Sequence, residues 1–409
     1  MDFPSQFAQK PFRCRAVASG VWEKRVGVIS LVCMALGLCS CGGSPRALPQ
    51  EESEGPDLIG VEFAEFFGFS QGRDTLWLQN GEGVWTPWTF QSGAQLSGEE
   101  QDQGGLTMAL PFAPKIATWS TTHVPHIQAL NASERWVGTG YKSRVNISEG
   151  GGGGFPFNLG GDGGLDEEAL VASGAHVLTS YPFGDPMQGV GERTGVKVMP
   201  LREYEEQHPL ARAEYIKVLG WLLGQSSQAE ATFNGIAQRY AAAKANGQRL
   251  AKSAGSPVVF TGSEQGGLWT APTFDGLVAR LVEDAGGQYL LDQKTEQSMG
   301  LRRVGSNIEM ELEQFAVLAA DADAWGKVVY APDGWYQEDA KAALSWLNVE
   351  DKLLFHCNTA EVDYFGQAVL EPDVMLADLV ALLHDHTAKD GRSETLNRPR
   401  YFHRTTSRP

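Results

Sequence analysis

The chain has almost no cysteine beyond its first forty-one residues. Of five cysteines in 409 residues, Cys14, Cys33, Cys39 and Cys41 lie in that opening stretch and only Cys357 lies beyond it. A thiol alone in the body of a protein forms no intrachain disulfide and builds no thiolate metal site. Basic charge is also scarce: 33 Lys and Arg against 50 Asp and Glu leave a formal charge of −17, which argues against broad nucleic-acid binding. No apolar run reaches the roughly eighteen residues of a membrane-spanning helix. The glycine-rich stretch Glu149–Gly164 is not followed by GK[ST], and no strand leads straight into it. That sets aside a Walker loop and a dinucleotide fingerprint, and the stretch reads as a mobile loop. There is no GxSxG elbow, so a hydrolase triad from Ser120, His123 and Asp185 can be drawn only on paper. Among His123, His126, His176 and His356 no pair has HxH or HExxH spacing, and Asp373 and Asp378 lie apart in the last helix; no bare metal-ion site is assigned.

What is present begins with a targeting segment. Lys10, Arg13, Arg15, Lys24 and Arg25 precede Val26–Leu38, an apolar run of signal-peptide length. It ends in Leu38-Cys39-Ser40-Cys41, which resembles the bacterial lipobox. The resemblance implies cleavage before Cys41 and a diacylglycerol on its sulfur; a plain signal peptide cut elsewhere is the other reading. Residues 1–40 are then the signal peptide and 41–57 a lipid-anchored tether, on an exported, membrane-anchored protein facing the periplasm. Losing the five basic and two acidic side chains of the leader takes the formal charge from −17 to about −20, a surface suited to a basic partner.

Residues 58–112 read as a β extension. DTLWLQNGEGVWTPWTF alternates apolar and polar residues about Asn80-Gly81, the pattern of a hairpin, with Trp77, Trp85 and Trp88 packing on it. Strand and helix patterns then alternate over 113–225 and again over 251–388, which argues for a mostly parallel sheet in each segment. EEQHPLARAEYIKVLGWLLG reads as one amphipathic helix with Pro209 near its first turn, and Ile308–Ala320 as another. Residues 389–409 read as a polar tail along the surface. Between the two segments, Ser227–Leu250 places Phe233, Ile236, Ala237, Tyr240 and Ala243 at helical spacing, filled out by good helix formers. Alone, this is either an ordinary core helix or a spine (226–250) joining two lobes.

Five segments in order decide between those readings. HPLARAEYIKVLGWLLG, AEATFNGIAQRYAAAKA, GLWTAPTFDGLVARLVEDAGGQYL, FAVLAADADAWGKVV and VLEPDVMLADLVALLH together resemble the helical-backbone (class III) substrate-binding proteins of ABC importers for metal chelates. The match runs from about Lys115 to His384; the hairpin and the glycine stretch fall outside it. The implied fold is α/β: two lobes, each a mostly parallel sheet flanked by helices, joined by one long backbone helix, with an extra N-terminal β-hairpin. The implied function is capture of a ferric siderophore, haem or cobalamin between the lobes and its delivery to an importer permease and the ATPase behind it. Such a protein is a monomer, not an enzyme, and carries no cofactor of its own.

The resemblance also implies docking acids. Glu168 and Glu313, each at the start of a helix leading into a strand, match the glutamates that this family presents to arginine pockets on the permease. Glu167 and Glu311 are their neighbours, and acids in a first helical turn also serve the helix dipole. In folds of this kind ligands sit beyond the strand ends, where the lobes face each other. That points to Thr121, Thr122 and His123, to Tyr141 and Lys142, and to Tyr181 and Phe183 in the first lobe. In the second it points to Trp269 and Thr270, His356, Tyr364 and Phe365. Thr122, His123, Tyr141, Tyr181, Trp269 and Tyr364 are the leading ligand contacts, and the Tyr181 phenolate is a candidate for haem iron. A spine helix should limit lobe closure to a small hinge motion. The competing readings are a surface interaction lipoprotein without a small ligand, working through the tryptophan-rich hairpin, a bare metal-ion binder, and a hydrolase.

Overall fold

The computed structural model describes residues 56–91, 101–102, 105–145, 156–181, 187–384 and 399–408. All of them belong to the unit Glu54–Pro409. The leader, Cys41, Phe183 and Asp185 lie outside the described residues.

The Asn80-Gly81 turn forms as its composition predicts. The Asn80 side-chain oxygen accepts from the backbone N–H groups of Glu82 and Val84 at 3.0 and 2.9 Å, a local bond that favours turning over extension. Strands β2 (Thr75–Gln79) and β3 (Trp85–Phe90) pair antiparallel about it. With β1 (Phe67–Phe69) and β4 (Met108–Leu110) they make a four-stranded sheet ordered β1-β2-β3-β4, so the expected hairpin is the middle of a larger unit.

Two buried carboxylates fasten this extension to the rest. Glu214, fully enclosed, accepts the N–H groups of Glu62, Phe63 and Ala64 at 2.9 Å each and pairs with buried Lys217 at 2.6 Å. The Lys217 ammonium also donates to the Gly60 carbonyl at 3.0 Å. Glu206 accepts from the Glu65 and Phe66 N–H groups at 3.0 and 3.3 Å. Five backbone donors of a loop are thereby satisfied by side chains rather than by a ladder, which is what a buried loop requires.

The first lobe is a parallel sheet of β5 (Ile116–Thr118), β6 (Trp136–Thr139), β7 (Phe157–Asn158), β8 (Val177–Ser180) and β9 (Lys197–Pro200), in the order β9-β8-β5-β6-β7. Helices α1 (Val124–Ala129), α2 (Glu167–Ser173) and α3 (Val190–Thr194) flank it. Asp166 caps α2 by accepting from the Ala169 N–H at 2.9 Å, and Gly174 ends it in the left-handed conformation. The end of the glycine stretch, from 156 onward, is ordered rather than loop-like. It supplies β7, and Gly160–Gly161 then pairs antiparallel with Gly164–Leu165. The segment expected as one helix is two, α4 (Pro209–Glu214) and α5 (Ile216–Leu223). They part at Tyr215, whose ring packs edge-on against Phe67 at 4.7 Å and whose hydroxyl reaches Glu206.

The spine is a single helix, α6 (Ser226–Ala254), of 29 residues, about 43 Å at 1.5 Å per residue. Left-handed Gly224 ends α5 just before it. Its first half belongs to the first lobe. A Cβ on Gly220 would stand 2.4 Å from that of Ala229, and Phe233 takes the Lys217 ammonium over its ring at 4.3 Å and the edge of Phe63 at 6.1 Å. Its second half belongs to the other lobe. The Tyr240 hydroxyl donates to Asp284 at 2.7 Å, Lys244 pairs with the same carboxylate at 2.8 Å, and Arg239 pairs with Asp373 at 2.6 Å. Phe233, Ile236 and Tyr240 are all buried, each worth about 1.5–3 kcal/mol of burial.

The second lobe is built on β10 (Val258–Thr261), β13 (Gln288–Tyr289), β16 (Ala324–Val329) and β17 (Leu353–Asn358), mutually parallel in the order β13-β10-β16-β17. A second, antiparallel sheet ordered β11-β12-β15-β14 lies beside them: β11 (Ser263–Gln265), β12 (Leu268–Pro272), β14 (Arg302–Val304) and β15 (Asn307–Glu311). It corrects two expectations. Ile308–Ala320 is not one helix: Ile308 and Met310 alternate with less buried neighbours as strand β15, and α9 (Leu312–Ala319) starts only after it. Trp269 and Thr270 lie within β12, not in a loop. Helices α7 (Leu277–Asp284) and α11 (Pro372–His384) cover the parallel sheet on the spine side, and α8 (Gln293–Met299) and α10 (Gln337–Ala343) are the other helices of this lobe. The tail is also more than a polar segment along the surface. Asp378 accepts the N–H groups of Arg400, Tyr401 and Phe402 at 3.0, 2.7 and 3.2 Å, and β18 (His403–Arg404) closes the sheet edge antiparallel to β17.

Candidate functional site: the cleft between the lobes

Parallel strands leave their C-terminal ends without ladder partners, and side chains just beyond those ends converge. In the first lobe Trp119 follows β5, Tyr141 follows β6 and Tyr181 follows β8. The three are linked: the Trp119 indole N–H donates to the Tyr181 hydroxyl at 3.0 Å, Tyr141 hydrogen-bonds Tyr181, and the Trp119 and Tyr141 rings lie 5.2 Å apart. Tyr141 is held at φ 50°, a left-handed conformation that a bulky side chain adopts only where its surroundings enforce it. The Arg144 guanidinium covers its ring at 5.0 Å and pairs with Asp162 at 2.7 Å. Partial burial, then the Tyr181 hydroxyl and the Asp162 charge, push the Tyr141 phenol up.

Behind this wall lies a buried polar cluster. His123 is 1% exposed; its Nδ1 meets the Thr179 hydroxyl at 2.9 Å and its Nε2 stands 3.3 Å from buried Glu203. The Thr122 hydroxyl donates to the same Glu203 oxygen at 2.6 Å. Burial pushes the Glu203 carboxyl up, but the His123 charge and the bonds from His123 and Thr122 outweigh it and hold it below the ordinary range. His126, enclosed beside them, is brought down to about 4, first by burial and then by the His123 charge. His123 is thus an internal partner of Glu203 rather than a residue of the cleft wall, and Thr122 has its hydroxyl committed to the same acid.

From the second lobe, the loop after β17 reaches across. Asp363 lines a narrow crevice with Thr121, Val124, Pro125, Gln128, Arg144 and Val145 of the first lobe. Tyr364, the next residue, lines an apolar cavity in its own lobe. Its phenol is pushed up to about 12 by burial and by the neighbouring Cys357, against the pull of Arg212 from α4. Phe365 stands edge-on to Tyr364 at 5.3 Å and is 63% exposed, and Tyr330 at the end of β16 is 75% exposed.

Trp269 is not part of this wall. It is 1% exposed and stacks on Phe315 at 4.4 Å, because the alternation of β12 turns it into the core of its lobe. His356 sits inside β17 and bonds the Thr405 hydroxyl at 2.9 Å, and Lys142 reaches back to the Pro156 carbonyl at 2.7 Å. Sequence reasoning missed Trp119, Arg144, Arg212, Tyr330 and Asp363. Trp119 and Tyr330 carried a usable signal, an aromatic directly after a buried strand; the arginines carried none.

The two acids expected to dock occupy equivalent places. Glu168 is the second residue of α2 and Glu313 the second of α9, and both are exposed with no partner among the described residues. Glu167 is engaged instead by Arg193, which donates to it at 2.6 to 3.1 Å and holds its carboxyl below the usual range. Each acid also has an exposed valine about one turn further on, Val171 in α2 and Val317 in α9. Cys357, the one cysteine among the described residues, is buried and its thiol is pushed up to about 12 by burial.

No protein-family model matches this sequence, and a search of curated proteins finds no match. Solved structures do match. A periplasmic haem-binding protein from Pseudomonas aeruginosa superposes with a TM-score of 0.51 at 18% identity, covering 72% of this chain and 99% of that one. A periplasmic binding protein from Veillonella parvula gives 0.50 at 14% identity over 70% and 96%. A siderophore-binding protein from Vibrio cholerae, solved with ferric Desferal, gives 0.47 at 15% identity over 66% and 99%. The fold is therefore that of the helical-backbone periplasmic binding proteins, two α/β lobes on one spine helix.

Proposed function

We propose that this protein is a lipid-anchored substrate-binding protein that captures a metal chelate (a ferric siderophore, haem or cobalamin) between its lobes and delivers it to the permease of an ABC importer. The observation that carries the reading is the linked Trp119–Tyr141–Tyr181 wall. It sits at the strand ends of one lobe, and the loop of the other lobe that carries exposed Phe365 places Asp363 beside Arg144, the guanidinium over Tyr141. Flat apolar faces with a few hydroxyls and one guanidinium, Arg144, suit a large ring-bearing or aryl-bearing anion. Tyr181 is the candidate to touch the metal: its oxygen accepts the Trp119 indole N–H at 3.0 Å, which holds the ring at the strand end. The Cys41 lipid would hold the protein at the membrane, and Glu168 and Glu313 would engage basic pockets on the permease, with Val171 and Val317 adding apolar contact. The spine keeps both acids at a nearly fixed spacing, so release depends on the permease parting the lobes.

The test is to titrate the purified protein with haem, cobalamin and ferric siderophores, following absorbance and thermal unfolding. A true ligand at a hundredfold excess over Kd adds about 2.7 kcal/mol of stability. Silence with all three classes would remove the reading. Glu168→Ala with Glu313→Ala should leave binding intact and abolish uptake.

A further inference from the structure

A second cavity lies in the second lobe, off the cleft. It measures about 200 Å³. Val278, Leu281 and Val282 of α7, Leu379 of α11, Phe355 of β17 and Tyr364 form its walls. Its size is informative. Pockets that engulf a whole drug-sized ligand run to about 300–1,000 Å³, so this one is too small for a chelate. An apolar cavity of about 150 Å³ lined by aliphatic and aromatic side chains takes up benzene, so this one is large enough for a phenyl ring or a short acyl chain.

Two glycines keep it open. Gly262 is held at φ +104° with the Thr270 carbonyl 2.3 Å from where its Cβ would stand, and a Cβ on Gly326 would meet the Phe355 ring at 2.3 Å. Neither position accepts a side chain that could fill the space. Its relation to the cleft runs through one loop. Asp363 borders the crevice with the first lobe and its neighbour Tyr364 borders the cavity, with Arg212 of α4 close to that phenol.

We propose that this cavity receives an apolar arm, aryl or short acyl, of the chelate held in the cleft. The inference rests on the chelate-binding reading and narrows it to chelates that carry such an arm beside the metal-binding groups. Tyr364 then stands at the junction, its ring against the arm, with Asp363 beside it on the crevice.

Two probes separate the two claims. Toluene tests the cavity alone; a ferric trihydroxamate with and without a hexanoyl arm tests the arm. The variant is Val278→Trp, at a half-buried cavity-wall position in the first turn of α7, checked for folding by its own thermal unfolding. Toluene should raise the Tm of the wild type and not of the variant. The hexanoyl chelate should bind wild type at least tenfold more tightly than the plain one, and the two should bind Val278→Trp alike. No effect of toluene on the wild type overturns the cavity as a site. Equal binding of the two chelates to wild type overturns the arm while leaving chelate capture standing. Toluene binding with no binding of either trihydroxamate, haem or cobalamin overturns the chelate reading and the arm with it.

Discussion

The seating of the spine on the second lobe can be tested with two substitutions of one kind in one helix. α6 contains Gly235 and Gly247. Gly→Ala in a helix interior gains about 1 kcal/mol, because glycine loses more conformational freedom on folding. At Gly235 that gain should appear in full: the nearest atom to the new Cβ is the tip of Arg239, 3.3 Å away, on a side chain that can move. At Gly247 the new Cβ would meet the Ala285 carbonyl oxygen and carbon at 2.5 and 2.7 Å, about 1 Å inside ordinary contact. These are backbone atoms of the turn that ends α7. The turn cannot yield easily, since left-handed Gly286 already lies with its own Cβ position 2.4 Å from the Gly247 carbonyl. Overpacking of this kind costs about 3 kcal/mol at the upper end of its range, so Gly247→Ala should lose about 2 kcal/mol net. Equilibrium urea unfolding would then place the two variants on opposite sides of wild type, about 3 kcal/mol apart. If both shift the midpoint upward by the same amount, the second lobe is not seated on the spine at Gly247.

Other outcomes follow from the buried charges. His126, held at about 4 by burial, titrates near 6.5 when unfolded. The stability it confers is present above pH 6.5 and is lost as pH falls through 4, a loss of about 3 kcal/mol that His126→Gln should remove from the acid limb of a stability–pH curve. Glu206, raised to about 7 by burial against the pull of two backbone N–H groups, has the opposite sign. Its contribution is present below about pH 4.5 and is lost as pH rises through 7, so Glu206→Gln should flatten the neutral limb. Glu214→Gln leaves the buried Lys217 ammonium with only the more distant Glu230 carboxylate at 3.8 Å and should cost about 3 kcal/mol, with limited proteolysis cutting first near residues 60–66. Cys41→Ser should move the protein from the membrane fraction to the soluble one; continued membrane association would refute the lipid anchor.

How much of this was legible without coordinates follows from the range of the interactions involved. The helix of the spine could be read because helical spacing is local: Phe233, Ile236 and Tyr240 fall on one face whatever surrounds them, while its place between two lobes came from the resemblance. The hairpin at Asn80 could be read for the same reason, since its stabilising bonds run to residues two and four positions on. The parallel sheets followed from strand–helix alternation. The antiparallel sheet of the second lobe did not, because in Asn307–Glu311 only Ile308 and Met310 alternate with polar residues, a stretch short enough to suit a strand or a helix start until β12 is beside it. The tail read as a polar segment along the surface because nothing near it in sequence announces that Asp378 will accept three of its N–H groups.

The cleft divides along the same line. Order along the chain pointed to Tyr141, Tyr181 and Tyr364, since a place after a strand is a sequence property, and the family resemblance pointed to Glu168 and Glu313. Whether a side chain at such a place faces the cleft is not. Trp269 was turned inward by strand pairing, and His123 was drawn into the interior by Glu203, eighty residues further along the chain. Trp119, Arg212 and Asp363 matter only because three distant segments meet. The sequence by itself determined the two lobes, the helix between them and the chemistry of the strand ends. Tertiary structure alone decided which side chains face the cleft and where the cavity lies, because both depend on close contacts between residues far apart in the chain.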